Sequence, residues 1–446
     1  MSGPLGSSQW MYASGAAGFY DYSIDQSLRL DGSSGYLSKA DFGTATDTAK
    51  RTFSTWIKTS NDSGGTYNHI IGGGASNIDG FGFNTNEKLQ YLQGGANTYD
   101  GNAELRDVGA WYHVFTTWNA TDNEIYIYIN GVLDKSFTSS ISGLTKIGNT
   151  GHTTTIGRRS NVATYIHGYL AETVFLDGTI GDVNDFGETV NGIWVPKDIS
   201  AASLTYGNNG FYLDYADSSN IGNDVSGNGN DFTANSLAAS DVVPDSPTNN
   251  FATWNPLHTN GGTLSEGNLR YVQGNNLVAA TMATPTTGKW YWELNNISTN
   301  DQNFNVSIIR DNKYVVNAYA DGIAYNAVNG NSHIDNTTAS YGATYTTGDI
   351  IGVAVDLDSS PQTVTFYKNN ASQGALNLPS YDGGWVAQTQ SGTSALSRTV
   401  IINFGQDSTF AGNETAGGNA DDNGVGDFFY APPSGHLALC TANLPE

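Results

Sequence analysis

Residues 348–370, GDIIGVAVDLDSSPQTVTFYKNN, constrain this chain more than any other stretch. Ile351, Val353, Val355 and Leu357 alternate with Gly352, Ala354 and Asp356, and Val364 and Phe366 resume the alternation after a polar turn at Asp358 to Gln362. A period of two marks a strand with one apolar face. Two such strands joined by a short turn make an antiparallel hairpin, which cannot bury that face alone. The chain must supply a second sheet to cover it.

The same logic extends along the sequence. In EIYIYINGVLDKSF, Ile125, Ile127 and Ile129 alternate with Tyr126 and Tyr128 before Asn130-Gly131, the strongest short hairpin signal. The 446 residues hold 54 Gly and only 13% charged side chains, with Asn, Ser and Thr supplying most of the polarity. Turn residues recur about every ten positions and no long amphipathic helix is found, so an all-β chain of two antiparallel β-sandwiches is expected. Strand patterns run from about Tyr22 to Tyr215 and resume at Asn249. Residues 216–248 are rich in Asp, Asn, Ser and Gly and read as a polar linker; residues 1–21 read as an N-terminal arm.

A formal net charge of −24 opposes binding to nucleic acid or to an anionic membrane surface, leaving a neutral, cationic or metal-bridged partner. Cys440 is the single cysteine, so no intrachain disulfide forms; in HLALC it reads as a small buried hydrophobe. The first fifteen residues lack the basic and apolar runs of a signal peptide or anchor. The arm does carry Trp10, Met11, Tyr12, Phe19 and Tyr20, an apolar set too small for a core, suited to packing on its own domain or docking on another subunit.

Two family resemblances follow from particular motifs. SLRLDGSSGYLS (27–38), RTFSTWIKT (51–59), WYHVFTTW (111–118), INGV (129–132) and TIGRRSNVATYIHGYLAETVFLDG (155–178) resemble, in that order, the laminin-G-like branch of the concanavalin-A-like jelly rolls. GKWYWEL (288–294), the opening hairpin, VIINFGQDSTF (400–410) and YAPPSGHLALC (430–440) resemble the core motifs of a SPRY domain. The two sandwiches in this order, with the linker and the ending ALCTANLPE, are similar to a class of marine bacteriophage structural proteins.

Chemistry is sparse. A glycosidase on a jelly roll needs paired carboxylates on one strand face, usually as E-x-D-x-x-E, and no such triplet occurs. Glu104 with Asp107, and Glu172 with Asp177, stand at odd intervals that send them to opposite faces, and both pairs read as solvated or turn-forming. The seven histidines are scattered without zinc spacing, and no catalytic residues and no cofactor are expected. Calcium is the one metal to weigh, in DVSGNG (Asp224, Ser226, Asn228) and DDNGVGD (Asp421, Asn423, Asp427); both lack the full ligand spacing and also suit plain Asx turns.

Glycan recognition needs loop aromatics beside amides and carboxylates. The candidates are Tyr67, His69, Tyr99, Asp100 and Asn102 in the first sandwich, and Asn329, Asn331, His333, Tyr381 and Trp385 in the second. The resemblance implies a non-enzymatic virion protein, a head decoration, head fibre or tail-fibre component at the virion surface. It would contact other virion proteins through the arm and host-surface glycans through its loops, as a homo-oligomer, with a trimer favoured by analogy with phage fibres. A purely architectural role is the alternative, and a polysaccharide-cleaving enzyme the remotest reading.

Overall fold

The structure, a computed structural model, describes residues 19–60, 67–200, 202–273, 277–299, 304–313, 317–391 and 398–445. The arm residues Trp10, Met11 and Tyr12 lie outside them. Among the described residues helix is confined to one four-residue turn, Ala318–Asp321, and three 3-10 turns. The chain divides into two compact units between Asn249 and Asn250.

The first unit is a sandwich of two antiparallel sheets. One runs from edge to edge through Val132–Thr138, Glu124–Ile129, Trp111–Asn119, Lys50–Thr59, His167–Asp177, Ser27–Asp31 and Val242–Val243, with Phe211–Leu213 pairing onto His167–Asp177. The other runs through Thr233–Asn235, Tyr36–Lys39, Thr154–Ile156, Asn68–Gly73, Asp79–Phe83, Lys88–Gln93 and Asn97–Glu104. Leu28, Phe53, Ile57, Phe81, Tyr91, Trp118, Ile125 and Ile127 fill the space between the sheets. The Asn130-Gly131 turn forms as its sequence requires, with φ of 49° and 74°.

The expectation of a solvated linker at 216–248 does not hold. Thr233–Asn235 pairs with Tyr36–Lys39, and Val242–Val243 pairs with Ser27–Asp31, so the segment supplies an edge strand to each sheet. Phe232 packs into the core against Phe42 and Phe211, their ring centroids 5.9 and 4.8 Å away. Two of its acids also neutralise cations buried in the sandwich: Asp241 pairs with Arg29 at 3.1 Å, and Asp245 with Lys58 at 2.8 Å. Few apolar residues are needed where charge complementarity does the anchoring.

The second unit is also a sandwich. One sheet runs Trp254–Thr259, Leu277–Ala283, Trp385–Ser391, Phe304–Arg310, Gly322–Asn326, Asn331–Ile334 and Thr337–Ser340. Its partner runs Thr263–Ser265, Arg270–Gln273, Arg398–Asn403, Lys289–Thr299, Ile350–Asp356, Thr363–Lys368 and Ala371–Asn377, with Leu437–Ala438 pairing in parallel onto Lys289–Thr299. In the opening hairpin, Ile351, Val353, Val355 and Leu357 enter the main core with Val364 and Phe366. The expected open face is closed as well: Ala354 packs with Tyr291, Phe428, Ala438 and Cys440 in a smaller cluster, so this strand is buried on both sides. Cys440 is buried outside any disulfide, as its alternating context suggested.

Candidate functional site

The outer face of the first sheet carries a cluster of aromatic side chains around His113. Alternation along Trp111–Asn119 sends Val114 and Trp118 into the core and leaves Trp111, His113 and Phe115 facing away from it. The segment after Asp177 folds back over this face, and the hairpin Gly187–Val190 with Ile193–Pro196 delivers Trp194 onto it. Gly131 permits this approach, since a Cβ there would come within 2.4 Å of the Trp194 ring. His113 lies between Trp56 and Trp194, with ring centroids 4.9 and 5.9 Å away. Trp194 Nε1 donates to His113 Nδ1 at 3.1 Å, which puts the imidazole proton on Nε2, 2.8 Å from Ser54 Oγ. Burial pushes the His113 pKa down to about 3. This histidine is a neutral structural wedge.

Glu172 occupies a β-bulge between Ala171 and Val174 with φ of 47°, backbone rarely adopted outside Gly, Asn and Asp. The bulge turns it toward Tyr22 and Tyr212, whose hydroxyls both donate to its Oε1. Burial pushes its pKa up to about 7, against the pull of those donors. Asp177 is buried too, paired with Arg51 and accepting from the backbone N–H of Thr46 and Asn209. Both acids read from sequence as solvated or turn-forming; they are instead interior groups, on opposite faces of one strand as their spacing required. Glu104 and Asp107 behave as expected, Glu104 pairing with Arg106 at 3.0 Å and Asp107 accepting from Gly109 N–H at 2.9 Å.

Of the glycan candidates, His69 and Trp385 are buried and the others are exposed or half-buried. His69 is buried, its ring lodged where a Cβ on Gly80 would come within 2.2 Å, and burial lowers its pKa to about 3. Tyr99 is half-buried against Trp118 and Phe137, each with centroids 5.5 Å away. Asp100 accepts from Asn84 Nδ2 and Gln90 Nε2. Asn102 ties the two sheet edges together: its N–H donates to Asp134 Oδ2 and its Nδ2 to the Asp134 carbonyl. Tyr67 is exposed, with the Arg159 guanidinium 5.7 Å from its ring.

In the second sandwich Trp385 is fully buried and roofed by Tyr381, ring centroids 5.9 Å apart. The Tyr381 hydroxyl donates to Asp311. Asn329, exposed, accepts from Asn331 N–H at the turn before Asn331–Ile334. His333 lies 4.0 Å from the Tyr319 ring and pairs with Thr338 Oγ1 at 2.9 Å. Glu293 was not foreseen. It lies buried at the strand centre, taking N–H bonds from Phe429 and Tyr430, both 2.8 Å, with Asn403 Nδ2 and Tyr291 Oη also donating. Burial nonetheless pushes its pKa up to about 7. Apart from Tyr291, its partners come from more than a hundred residues downstream, and no local motif announces them.

The acidic loops hold themselves together. Asp224 accepts from the N–H of Tyr212, Ser226 and Asn230, and Asn228 Nδ2 donates to the carbonyls of Gly207 and Gly210. Asp421 accepts from Asn423, Val425 and Ala438 N–H and from Asn443 Nδ2, Asn423 Nδ2 donates to Asn443 Oδ1, and Asp427 accepts from Ser408 N–H. Among the described residues no group of three or more His, Cys, Asp or Glu is arranged to hold a metal ion.

Two antiparallel sandwiches, each closed by its own long return segments, define the class of protein. Residues 31–182 match the family described as the concanavalin A-like lectin/glucanases superfamily, in its laminin-G form, and residues 289–377 match the SPRY domain. The chain thus carries a laminin-G-like jelly roll followed by a SPRY domain. Similar solved structures include the SPRY domain of human HERC1, 18% identical over 33% of this chain and 96% of that one, with a TM-score of 0.30. A human SPRY domain is 17% identical over 34% and 95%, TM-score 0.24. The heptameric SAP-like pentraxin of Limulus polyphemus is 16% identical over 39% and 93%, TM-score 0.29. No curated protein sequence matches the chain.

Proposed function

We propose that this chain is a non-enzymatic recognition protein of the virion, a head decoration, head fibre or tail-fibre component whose sandwiches bind host-surface carbohydrate. The observation that carries the binding side of this reading is the filled sheet face of the first sandwich. A hydrolase on this fold needs an open cleft with two carboxylates flanking the scissile bond. Here Trp56, His113, Phe186 and Trp194 occupy much of that face. The nearby Glu172 is held by two tyrosines, and Asp177 lies on the opposite side of its strand. The virion assignment is supported by the motif order and rests on resemblance. Many copies on one particle would turn weak single sites into firm attachment.

Glycan-array binding by the full chain, together with mass spectrometry of purified particles, tests both parts. Binding without release of reducing ends from polysaccharide is expected. Release of reducing ends would restore the enzyme reading, and absence of binding by a chain found in particles would leave an architectural role.

A further inference from the structure

The aromatic cover on the first sandwich stops short of the sheet edge. Tyr126 and Tyr128 lie two residues apart on Glu124–Ile129, and because Ile125 and Ile127 fill the core, both tyrosine rings stand on the outer face. Their centroids are 6.5 Å apart with planes inclined by 38°. Leu133, 46% exposed, lies opposite Tyr128 in the neighbouring strand. Facing the tyrosines are Ile180, Gly181, Asp182 and Val183, and with Phe115 and Thr117 they enclose an open groove of about 340 Å³.

The lining decides what could enter. The volume falls in the range of small-ligand sites. Among the described residues no cationic side chain lines the groove, Asp182 stands on its rim, and Glu124 is hydrogen-bonded to Tyr126, so a phosphate, sulfate or uronate would meet negative charge. No carboxylate cluster is present to hold a metal among the described residues. What remains is an uncharged molecule with an apolar face for the rings and hydroxyls for a carboxylate. Asp182 uses Oδ1 to accept from the N–H and Nδ2 of Asn184, at 2.9 and 2.8 Å.

We infer that this groove is the saccharide contact of the first sandwich, taking a neutral sugar stacked on Tyr126 and Tyr128 with its hydroxyls donating to Asp182. The inference rests on the carbohydrate reading above and moves the contact from the loops to the sheet face.

The full chain is titrated with mannan, dextran and laminarin as neutral probes, and with alginate and heparin as anionic ones. For whichever neutral probe binds, Tyr126→Ala and Tyr128→Ala should each weaken binding roughly three- to tenfold, as expected for loss of one stacking ring. The double variant should abolish it. Asp182→Asn, whose amide oxygen can replace the carboxylate Oδ1 that holds Asn184, should weaken binding with an unaltered melting profile and serves as the readout if a tyrosine variant unfolds. Wild-type binding that all groove variants retain would overturn the groove and leave the carbohydrate reading standing. Binding confined to the anionic probes would overturn the groove's assigned chemistry. No binding of any probe by the wild type would overturn both.

Discussion

Lys58 and Asp245 offer the sharpest test of how the first sandwich is closed. The Lys58 ammonium and Asp245 carboxylate are 2.8 Å apart, with side chains 1% and 0% exposed. Trp111 Nε1 donates to the other carboxylate oxygen at 3.0 Å, and Ser27 Oγ donates to the Asp245 carbonyl at 2.6 Å. Asp245→Asn keeps the shape and removes the counter-charge. Breaking a buried pair from one side costs about 3–5 kcal/mol. Lys58 has an escape, because burial already lowers its pKa and it can shed its proton on folding. Releasing that proton at pH 7 from an ordinary lysine costs roughly 5 kcal/mol, falling by about 1.4 kcal/mol per pH unit above that. The two routes agree, so the variant should lose about 3–5 kcal/mol at pH 7, equivalent to roughly 6–20 °C in Tm for a domain of this size. The loss should shrink steadily toward pH 10. Lys58→Met combined with Asp245→Asn should recover most of the stability, since no charge is then stranded. Denaturant melts followed by tryptophan fluorescence, across pH 7 to 10, measure all three. A loss below about 1 kcal/mol, or a double variant no more stable than Asp245→Asn alone, would refute the claim that residues 216–248 are locked in by charge.

Three further outcomes are expected. Val355→Asp should abolish the thermal transition of the second sandwich by burying an unpartnered charge, whereas Asp356→Asn, losing a half-exposed pair with Lys289, should cost under about 1 kcal/mol; calorimetry separates them. Glu172 holds its proton to about pH 7 in the folded chain against an ordinary value of 4.5, so its contribution is complete below about pH 4.5 and is lost as pH rises through 7; Glu172→Gln should flatten this decline in Tm between pH 5 and 8. Deleting residues 2–20, which spares Tyr22 and its bond to Glu172, should leave both domain transitions in place while light scattering reports a monomer; an unchanged oligomer would remove the arm from the assembly.

What could be read from the sequence was whatever is local. The alternation in Ile350–Asp356 and Glu124–Ile129 marks strands and assigns inward residues, because a pleated strand puts every second side chain on one face. Asn130-Gly131 forecasts its turn because both positions need positive φ. Alternation names a face without saying what covers it, and here only the tertiary structure decided. Trp194 arrives from about eighty residues downstream to bury His113, while the outer tyrosines of the neighbouring strand stay partly open. His69 and Trp385 looked like loop ligands; His69 is drawn inside over a glycine of the next strand, and Trp385 opens a buried strand under Tyr381 of its own preceding loop. The segment 216–248 reads as linker by composition, yet it belongs to the sandwich because Arg29 and Lys58, two hundred residues earlier, are buried cations that need its carboxylates. Charge pairing across that distance leaves no periodic trace in the sequence, since it depends only on which groups folding brings out of water together.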